Sequence, residues 1–567
     1  MLADSEVSLV EDHLERVRSN LLEGFSLKNI AAWIEKRTLL EGQPFSFDGH
    51  EFQRRLADED SREIVVKKCS QVGITEFAIR RTLAVMDILP DIHVIYTLPT
   101  SNFAKMVTKT RINPIIEASD YLRGRVNMSI DSTDTKQLGS SYLYIKGTIG
   151  QAAAISVPAS LLVHDEVDFS DQTVLSSYQS RMTHSRYKMK FELSTPTVPK
   201  YGIDERFRNS RRHFNFCKCN HCSQWFLPEY FAHVQIPGFT GDLREITKTN
   251  LHSLRYEEAI LVCPNCGKQP DLGPQNREWV LENPEEAHVA AGYQISPFDA
   301  PSVITPAFLI ESSTKYKRYA DFINFNLGLC AEDKDNALTA SELGELFIAG
   351  EVPRFTSYIV GIDAGLLMHV VVGGVTSEGH VHIVRLAQVP LSRWNDEFGK
   401  LAKEFRFSNG VMDSQPYTDL VMKMQESHHK IFAAIYVTSK SPEMFTVTEK
   451  EEDKESSTLD LRLAKINRNK AFDALMADLR AKKITLSAAG CQDQKDTWLS
   501  HMTDMRRIQK FDKDDELFFN WEKSSKGDDH YHHATLYLYI ASLMRGFGAA
   551  EIPYGTVMHR FKNRGSA

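Results

Sequence analysis

Short apolar runs alternate with a turn and a helical pattern in the first half of this chain, and this alternation restricts the fold more than any other feature of the sequence. Residues 75–88 have the pattern of a helix, and Pro90 follows them. Strands that alternate with helices in this way predict an α/β fold with a doubly wound parallel sheet. The strand-like runs are residues 64–66, 92–96, 160–164 and 190–194.

The character of the sequence changes several times along the chain. Residues 216–270 are rich in Cys, Asn and His, and a second α/β pattern opens with the apolar run at 357–363. These changes predict six regions. They are an N-terminal helical segment (1–40), a first α/β domain (41–215), a Cys-rich insertion (216–270), a connecting helical region (271–350), a second α/β domain (351–548) and a basic C-terminal tail (549–567).

The composition excludes several classes of protein. With 42% hydrophobic and 25% charged residues, the 567-residue chain is neither collagen-like nor largely disordered. No apolar run reaches the length of about 18 residues that a membrane-spanning helix needs, and the acidic start lacks the pattern of a signal peptide. We therefore expect a soluble intracellular protein. The net charge of −8 argues against histone-like DNA binding but leaves room for local basic channels.

Residues 67–76 form a turn between a predicted strand and a predicted helix, where backbone N–H groups converge on phosphates. The segment departs from the pattern G-x-x-x-x-G-K-[ST], because Ile74 stands at the Lys position. Lys68 ends the strand and is placed to reach back over the turn, and Thr75 can offer its hydroxyl to Mg²⁺. A turn without a ligand is the alternative. The predicted ATP-binding residues here are Lys68, Ser70, Gln71, Val72, Gly73, Ile74 and Thr75.

The apolar run at 161–163 leads into two carboxylates, Asp165 and Glu166. We expect Asp165 to hold Mg²⁺ through water and Glu166 to polarise the attacking water. An acidic turn in solvent would give the same pattern when taken alone. The basic turn and the acidic strand end, in this order, together predict a site that hydrolyses a nucleoside triphosphate.

Four of the eight cysteines form two Cys-x-x-Cys pairs: Cys219 with Cys222, and Cys263 with Cys266. Four thiolates in two knuckles suit a tetrahedral Zn²⁺ ion and leave no open position, so we expect a structural role. Cys217 and His221 are close enough in sequence to compete as ligands. Unligated buried thiols are the alternative.

Carboxylates end apolar runs again in the second half of the chain, in the manner of an RNase H-like nuclease. Asp363 and Asp413 each follow a predicted strand, and Asp528 and Asp529 precede an apolar helix. Three carboxylates from separate elements can hold two Mg²⁺ or Mn²⁺ ions for phosphodiester hydrolysis. A cap on each strand or helix, with no metal, is the alternative.

These motifs together resemble the large terminase subunits of tailed double-stranded DNA bacteriophages, particularly the lambda-type branch. Lys68 displaced to the start of its turn and the acidic strand end at 163–168 match that family, and residues 44–48 with Gln53 stand where its adenine-binding segment lies. The resemblance spans about residues 40–545. The family's coupling motif, which links hydrolysis to DNA movement, resembles Ser194, Thr195, Pro196 and Thr197.

The resemblance implies a P-loop ATPase domain at 41–215, a zinc-binding insertion and an RNase H-like nuclease domain at 351–548. It implies ATP hydrolysis coupled to translocation of double-stranded DNA into a procapsid, and cutting of concatemeric DNA. The implied partners are the small terminase subunit, the portal protein and further copies in a homo-oligomeric ring. The implied location is the host cytoplasm, with transient docking on the procapsid and no membrane.

By the same resemblance, Asp363, Asp413 and Asp529 correspond to the catalytic, metal-binding triad of the nuclease. Asp528 or His533 remains an alternative for the third member.

The sequence departs from the family at Gln71, where many relatives have an Arg in the turn. Arg181 and Arg186, just before the coupling motif, are the candidates for an arginine finger that acts in cis or from a neighbouring subunit. Surface arginines with no such role are the alternative.

Basic residues cluster in two further places. Residues 560–564 lie in the tail, where the resemblance suggests docking to the portal. Five cations on a predicted helix and its exit can contact DNA phosphates or merely face solvent. They are Arg468, Lys470, Arg480, Lys482 and Lys483.

Two other functions fit the same sequence. One is a helicase or repair ATPase with a non-cutting RNase H-like domain. The other is a DNA-binding adaptor that binds nucleotide without hydrolysing it, since the standard P-loop Lys is missing.

Overall fold

The structure is a computed structural model. It describes residue 18 and residues 24–149, 157–285, 290–331, 337–350, 353–428, 430–437, 441–448, 462–512, 514–523 and 527–544. The chain divides into two compact units, one comprising Met1–Asp333 with Gln509–Phe518 and the other Lys334–Ile508 with Phe519–Ala567. None of the described helices is long and apolar enough to span a membrane.

The strands of the N-terminal unit belong to one large sheet and two small ribbons. The strands are β1 (Leu39–Leu40), β2 (Gln43–Pro44), β3 (Glu63–Lys68), β4 (His93–Leu98), β5 (Thr135–Leu138), β6 (Ser141–Gly147), β7 (Leu161–Asp165), β8 (Met189–Ser194), β9 (Arg211–Lys218), β10 (Trp225–Phe226), β11 (Val234–Gln235), β12 (Ile260–Leu261), β13 (Arg277–Leu281) and β14 (Ala291–Ile295).

The helices of this unit cover both faces of the large sheet or lie in its connections. They are α1 (Ile30–Arg37), α2 (Phe52–Ala57), α3 (Ile74–Ile88), α4 (Ser101–Val107), α5 (Asn113–Ala118), α6 (Asp120–Arg123), α7 (Gln172–Tyr178), α8 (Gly202–Arg208), α9 (Tyr230–His233), α10 (Lys248–Leu251), α11 (Pro306–Ser313) and α12 (Tyr319–Leu327).

Within the described residues the large sheet has ten strands in the order β10-β9-β14-β3-β8-β7-β4-β6-β5, with β13 paired to β9. The run from β9 to β6 is parallel throughout, and β5, β10 and β13 add antiparallel edges. The predicted doubly wound parallel sheet is confirmed. Strands β3, β8 and β7 are parallel neighbours, so their carboxyl ends lie side by side at one edge of the sheet. The ATP site was predicted at this edge.

The structure differs from the prediction of a connecting helical region at 271–350. This segment does contain α11 and α12, but it also supplies β13 and β14 to the large sheet, and β14 lies directly beside β3. Tyr293 and Ile295 are fully buried in β14, and aromatic and β-branched residues favour such strands. The chain thus returns from the Cys-rich insertion to complete the sheet around the phosphate turn.

The C-terminal unit is built on a second large sheet. Its strands are β15 (Phe347–Ile348), β16 (Ser357–Asp363), β17 (Leu367–Val375), β18 (Val381–Pro390), β19 (Asn409–Asp413), β20 (Ile431–Val437), β21 (Phe445–Thr448), β22 (Leu463–Asn467) and β23 (Ile484–Ser487). A hairpin of β24 (Met505–Phe511) and β25 (Leu517–Lys523) follows in the chain, and its segment Gln509–Phe518 belongs to the N-terminal unit. The helices of the C-terminal unit are α13 (Ala340–Gly344), α14 (Trp394–Phe405), α15 (Thr418–Ser427), α16 (Arg468–Arg480), α17 (Lys495–Asp504) and α18 (His530–Leu543).

The described part of this sheet has nine strands in the order β15-β23-β18-β17-β16-β19-β20-β22-β21. Strands β16, β17 and β18 form an antiparallel meander, and β19 and β20 continue the sheet parallel to β16. This is the RNase H-like arrangement predicted for the second half of the chain. The carboxyl ends of β16 and β19, which carry Asp363 and Asp413, are neighbours.

Helix α18 packs directly on the centre of this sheet. A Cβ atom at Gly361 in β16 would lie 2.1 Å from the carbonyl oxygen of Ala534 and 2.3 Å from the amide nitrogen of Leu538. Only glycine therefore permits the helix backbone to approach the strand so closely. The contact sets the position of the first turn of α18, which carries His530 and His533.

Candidate functional site

The phosphate turn lies between Lys68, the last residue of β3, and Ile74, the first residue of α3. Gln71 and Gly73 adopt left-handed backbone conformations with φ of 63° and 71°. A Cβ at Gly73 would lie 3.0 Å from Nε2 of Gln53, which donates a 2.9 Å hydrogen bond to the carbonyl of Val72. The glycine thus permits both the sharp turn and the approach of Gln53.

Part of the turn is already engaged by the protein. The amide of Ser70 donates to the carbonyl of Phe325 at 2.6 Å, and the amide of Cys69 donates to that of Ile295 at 3.1 Å. In this conformation the Ser70 N–H is engaged by the protein, and the assignment of Ser70 to ATP binding stays a prediction. The donors left for an anion are the later turn amides and the first N–H groups of α3, which have no acceptor within the helix.

Lys68 and Glu166 form an ion pair across the edge of the sheet. The Lys68 ammonium lies 3.0 Å from Oε1 of Glu166 and 3.5 Å from Oγ1 of Thr195. Burial alone would lower the pKa of Lys68, but the carboxylates of Glu166 and Asp165 outweigh it and raise that pKa. The ammonium therefore stays charged in a buried site, as a phosphate-binding cation must.

Asp165 lies beside this pair at the end of β7. Its Oδ2 accepts a 2.9 Å hydrogen bond from the hydroxyl of Tyr96, and Thr75 also hydrogen-bonds to its carboxyl group. Burial and the charge of Glu166 raise the pKa of Asp165 to about 6, against the opposing effect of Lys68. The Thr75 hydroxyl and the Asp165 carboxylate are the hard oxygen donors that Mg²⁺ prefers, so the residues fit this ion.

The predicted coupling residues connect Glu166 with the segment that follows β8. The hydroxyl of Ser194 donates to Oε2 of Glu166 at 3.4 Å and accepts from the amide of Asp168 at 3.2 Å. Thr195 contacts Lys68, as described above. The amide and hydroxyl of Thr197, which follows Pro196, both donate to Oδ2 of Asp168 at 2.7 Å. Direct contacts thus connect Glu166 and Asp168 with residues 194–197, and the coupling role of this segment stays a prediction.

Asp168 is a buried carboxyl group in the middle of these contacts. The amide of Ile203 donates to its Oδ1 at 2.7 Å, in addition to the two bonds from Thr197. Burial raises the pKa of Asp168 to about 7, although these donors oppose the shift. The group links the acidic strand end, the coupling motif and α8.

The predicted adenine-binding segment is mostly part of the core. Phe45 and Phe47 are buried, and their rings pack edge-on at 5.0 Å between centroids. The Arg80 guanidinium lies over Phe45 at 4.6 Å from its centroid. Of the segment at 44–48 with Gln53, it is Gln53 that touches the phosphate turn.

Among the described residues, neither candidate for the arginine finger makes a hydrogen bond or ion pair with Lys68 or Glu166. Arg181 donates to the hydroxyl of the preceding Ser180, and Arg186 lies 4.8 Å from the ring centroid of the adjacent Tyr187. The identity of an arginine finger stays a prediction.

Arg111 is a cation near the site that the sequence reasoning missed. It lies in a π-helical turn at Thr108–Ile112, with Nη1 3.6 Å from Oε2 of Glu76, the residue after Thr75. Burial and the charge of Asp165 raise the pKa of Tyr96, whereas the charge of Arg111 acts to lower it. Short π-helical turns are frequent at functional sites, but no sequence pattern announces one.

The four knuckle cysteines converge in the insertion. The sulfur atoms of Cys219, Cys222, Cys263 and Cys266 all lie within 4.8 Å of one another. Sγ of Cys219 is 3.7 Å from that of Cys266, and Sγ of Cys222 is 3.7 Å from that of Cys263. A tetrahedral Zn²⁺ ion with Zn–S bonds of about 2.3 Å separates its sulfur ligands by about 3.8 Å. The donor set and its spacing fit this ion.

The two competing ligands lie outside the cluster. Sγ of Cys217 contacts the carbonyl of Asp271 at 3.8 Å, and Nε2 of His221 contacts that of Gln269 at 3.0 Å. The structure therefore favours the four-cysteine set among the alternatives that the sequence left open.

Asp363 and Asp413 lie together at the carboxyl ends of two parallel strands. Burial raises the pKa of Asp413 to about 6, and the nearby charge of Asp363 adds to the shift. The two carboxylates repel each other in this partly buried place, and a divalent cation bound by both would reduce that repulsion. These two members of the predicted triad are brought together.

Asp529 makes a different set of contacts at the start of α18. Its Oδ2 lies 3.2 Å from Nε2 of His533, whose Nδ1 lies 2.6 Å from the hydroxyl of Tyr436. Burial opposes ionisation, but the hydrogen bond with His533 and the charge of Lys523 hold the pKa of Asp529 well below its usual range. Asp528 is exposed. The choice among Asp528, Asp529 and His533 as third ligand stays open.

Two histidines that the sequence reasoning missed lie against Asp363. Nδ1 of His530 is 2.9 Å from Oδ2 of Asp363, and His369 pairs with Asp363 across β16 and β17. His369 stands at the register position opposite Asp363, so a hairpin prediction with the right register would have found it. His530 follows Asp529 directly in the sequence.

The predicted basic helix exists as α16, but its cations have partners within the C-terminal unit. Lys482 pairs with Glu345 at 2.9 Å, Lys483 pairs with Asp478 at 2.6 Å, and Lys470 donates to the carbonyl of Pro442 at 2.8 Å. Arg480 donates to the carbonyl of Ala337, and Arg468 lies over aromatic rings. These contacts occupy the cations within the C-terminal unit, and their contact with DNA stays a prediction. The tail at 560–564 lies outside the described residues.

The comparison with family models bears on the region that contains the ion pair, the turn and the cysteines. Residues 44–283 match the family model of the phage terminase large subunit gpA, ATPase domain. The match confirms the terminase resemblance over these residues, while the lambda-type branch stays a prediction. The gpA match includes both the Lys68–Glu166 pair and the cysteine cluster. No curated protein matches the chain significantly in sequence.

Among solved structures, the chain is similar to the HK97 bacteriophage large terminase, with 9% identity, coverage of 90% of this chain and 98% of that chain, and a TM-score of 0.49. It is also similar to the large terminase of the thermophilic bacteriophage D6E, with 11% identity, coverage of 88% and 99%, and a TM-score of 0.31. The chain is also similar to a nuclease domain of the Sf6 large terminase subunit, with 12% identity, coverage of 37% of this chain and 94% of that chain, and a TM-score of 0.24.

Proposed function

We propose that this chain is the large subunit of a viral DNA-packaging motor, with an ATPase site around Lys68 and a metal-dependent nuclease site around Asp363. The observation that carries the proposal is the buried Lys68 ammonium, paired with Glu166 at 3.0 Å inside the region that matches the gpA ATPase domain. The pair lies between the phosphate turn and the proposed coupling segment.

Each residue of the ATPase site has a role that its contacts support. Lys68, the later turn amides and the first turn of α3 bind the phosphates. Thr75 and Asp165 hold Mg²⁺, and Glu166 takes a proton from the attacking water. Because Lys68 is now paired with Glu166, ATP binding would draw the ammonium towards the phosphates and release the carboxylate for its role as base.

Release of Glu166 also gives the site a way to signal. Ser194 and Thr195 contact Glu166 and Lys68, and Thr197 is held by Asp168. A change in the Lys68–Glu166 pair during hydrolysis therefore alters the bonds of residues 194–197. We propose that this segment passes the change to the part of the motor that grips double-stranded DNA.

In the C-terminal unit, Asp363 and Asp413 hold Mg²⁺ or Mn²⁺, with Asp529, Asp528 or His533 as the third group. When bound, divalent ions supply charge neutralisation at the phosphates and an activated water for phosphodiester cleavage. The protein's own contribution is to fix the two carboxylates on adjacent strands. A structural Zn²⁺ ion on the four cysteines ties the two ends of the insertion together.

The terminase resemblance supplies the setting of the proposal. We propose a homo-oligomeric ring that acts in the host cytoplasm, docks transiently on the portal of a procapsid and receives its DNA with a small terminase subunit. The portal would hold the ring in line with the entry channel, and the nuclease would cut concatemeric DNA into single genomes.

The proposal is tested by assaying one preparation for ATP hydrolysis, with and without linear double-stranded DNA, and for plasmid cleavage with Mg²⁺ or Mn²⁺. We expect DNA-dependent hydrolysis, and cleavage that Asp363→Asn abolishes while hydrolysis persists. Hydrolysis with strand separation and no cleavage would instead indicate a helicase or repair ATPase. Nucleotide binding without hydrolysis, even with portal and small subunit present, would indicate an adaptor.

A further inference from the structure

We propose that Asp363, His369 and His530 form a binding site for a divalent transition-metal ion, which takes Mn²⁺ in preference to Mg²⁺. The site deepens the proposed function, because its role in DNA cleavage rests on the proposed nuclease. Its existence as a metal site rests only on the geometry of these three side chains.

Three separate elements bring the ligands together. Asp363 ends β16, His369 faces it in the antiparallel register of β17, and His530 opens α18. One ligand atom from each lies within 4.8 Å of the other two, and Nδ1 of His530 is only 2.9 Å from Oδ2 of Asp363. Donor atoms this close together can all reach one ion at bond lengths of about 2.0–2.2 Å.

The two ring nitrogens of His369 have different surroundings. Its Nε2 contacts the side-chain nitrogen of Gln388 at 3.0 Å, which fixes the ring. Its Nδ1 is buried and has no hydrogen bond of normal geometry among the described residues, and the backbone of Leu367 also interacts with the ring. Buried polar atoms in proteins are almost always paired, so a nitrogen without a normal hydrogen bond, on a ring that lies against a carboxylate and a second imidazole, points to a ligand.

The rings are packed so that they are already in place for binding. His369 stacks on His530 with centroids 4.7 Å apart and planes 11° from parallel, and the ring of Tyr531 packs edge-on against His369 at 4.7 Å. His501 lies behind both rings, and its Nδ1 accepts from the amide of Tyr531 at 3.2 Å. Such surrounding contacts orient metal ligands and tune their affinity.

The donor set selects the class of ion. Imidazole nitrogen suits transition metals, whereas Mg²⁺ prefers oxygen ligands throughout. Two histidines and one carboxylate therefore favour Mn²⁺, Co²⁺, Ni²⁺ or Zn²⁺ over Mg²⁺. A carboxylate has two oxygens, so Asp363 can serve this ion and still face Asp413 on the neighbouring strand.

The test is electron spin-echo spectroscopy of Mn²⁺ added to the full chain without nucleotide, together with the dissociation constant for Mn²⁺. The four-cysteine cluster does not interfere, because thiolates select softer ions. We expect nitrogen modulation from imidazole ligands in the wild type. His530→Gln should remove much of it and weaken Mn²⁺ binding by about tenfold or more, a loss typical of disturbed metal ligation.

Two further variants make the result specific. His380→Gln changes an exposed histidine in the β17–β18 turn and should leave both measurements unchanged. His369→Asn should act like His530→Gln. Because His369 is buried, its variant is checked by circular dichroism, and His530, whose side chain is 40% exposed, provides the safer variant. Mn²⁺ binding without nitrogen modulation in the wild type, or modulation unchanged in a folded His530→Gln, would overturn the proposal.

Plasmid cleavage by the same preparations separates this inference from the proposed function. Nitrogen-coupled Mn²⁺ without any cleavage would support the metal site and count against the nuclease. Cleavage in Mg²⁺ that is equal in wild type and His530→Gln, with no nitrogen modulation, would support the nuclease and contradict the histidine site.

Discussion

The ammonium of Lys68 lies 3.0 Å from the carboxylate of Glu166, although the two residues are separated by nearly a hundred positions in the sequence. Parallel strands with β8 between them bring the two chain segments to the same edge of the sheet. The pair joins the two groups to which we assign phosphate binding and water activation in the proposed ATPase site. It also explains how a turn without the standard Lys can still present a cation.

Replacement of Lys68 tests its assignment. Lys68→Met removes the only charge that compensates Glu166 in this contact, and we expect steady-state ATP hydrolysis to fall by about a hundredfold or more, the usual effect of removing a preorganised electrostatic group. Lys28→Met, which changes an exposed lysine paired with Asp60 at 3.7 Å, is the control and should keep full activity. Equal hydrolysis by the two variants would remove Lys68 from the site.

Asp168 predicts a particular pH dependence of stability. Its pKa of about 7 in the folded chain lies above the value of about 3.9 in an unfolded chain, so the folded state binds the proton more tightly. Its stabilising contribution is complete below about pH 4 and is lost as the pH rises through 7. The free energy of unfolding should therefore fall by up to about 1.4 kcal/mol per pH unit across this window.

The variant Asp168→Asn cannot titrate at this position. Its unfolding midpoint in denaturant should change less between pH 5 and pH 8 than that of the wild type. Parallel pH profiles for the two proteins would show that Asp168 is ionised throughout in the folded chain.

The packing at Gly361 predicts a link between stability and the proposed nuclease site. Gly361→Ala inserts a methyl group where the backbone of α18 lies about 2 Å away, and overpacking of this kind destabilises by about 1–3 kcal/mol. Displacement of the helix also moves His530 from Asp363, so cleavage should fall while ATP hydrolysis persists. Gly399→Ala, in α14 with nothing near its Cβ, is the matched control. Full cleavage by Gly361→Ala would contradict the proposed coupling.

The cysteine cluster predicts about one zinc ion per chain. Cys263→Ser should lower the zinc content measured by elemental analysis and reduce the thermal unfolding temperature, because structural zinc contributes directly to folding stability. Cys217→Ser changes a neighbouring thiol outside the cluster and should retain the metal. Zinc-free wild-type protein whose unfolding temperature is insensitive to chelator would show that the thiols have no metal.

Much of this architecture follows from local sequence pattern. Apolar runs predict β3, β7, β8 and β16, because parallel strands are buried on both faces and their ends carry the polar groups. The Cys-x-x-Cys spacing predicts each of the two knuckles in the same local way.

What the sequence does not predict depends on contacts between distant segments. The return of β14 into the sheet beside β3 and the capture of the Ser70 amide by Phe325 involve residues far apart in the chain. His369 reaches Asp363 through the register of a hairpin, and His530 through the packing of α18 on Gly361. Motif spacing carries no information on such contacts.

The most direct test of the account is the rate of ATP hydrolysis by Glu166→Gln, measured beside its affinity for ATP. The substitution keeps the shape of the side chain and a hydrogen-bond acceptor for Lys68 but removes the base. We predict that ATP binding persists and that hydrolysis falls by about a hundredfold or more, as expected for loss of a general base. Hydrolysis at the wild-type rate in Glu166→Gln would contradict the assignment of the ATPase site to the Lys68–Glu166 pair.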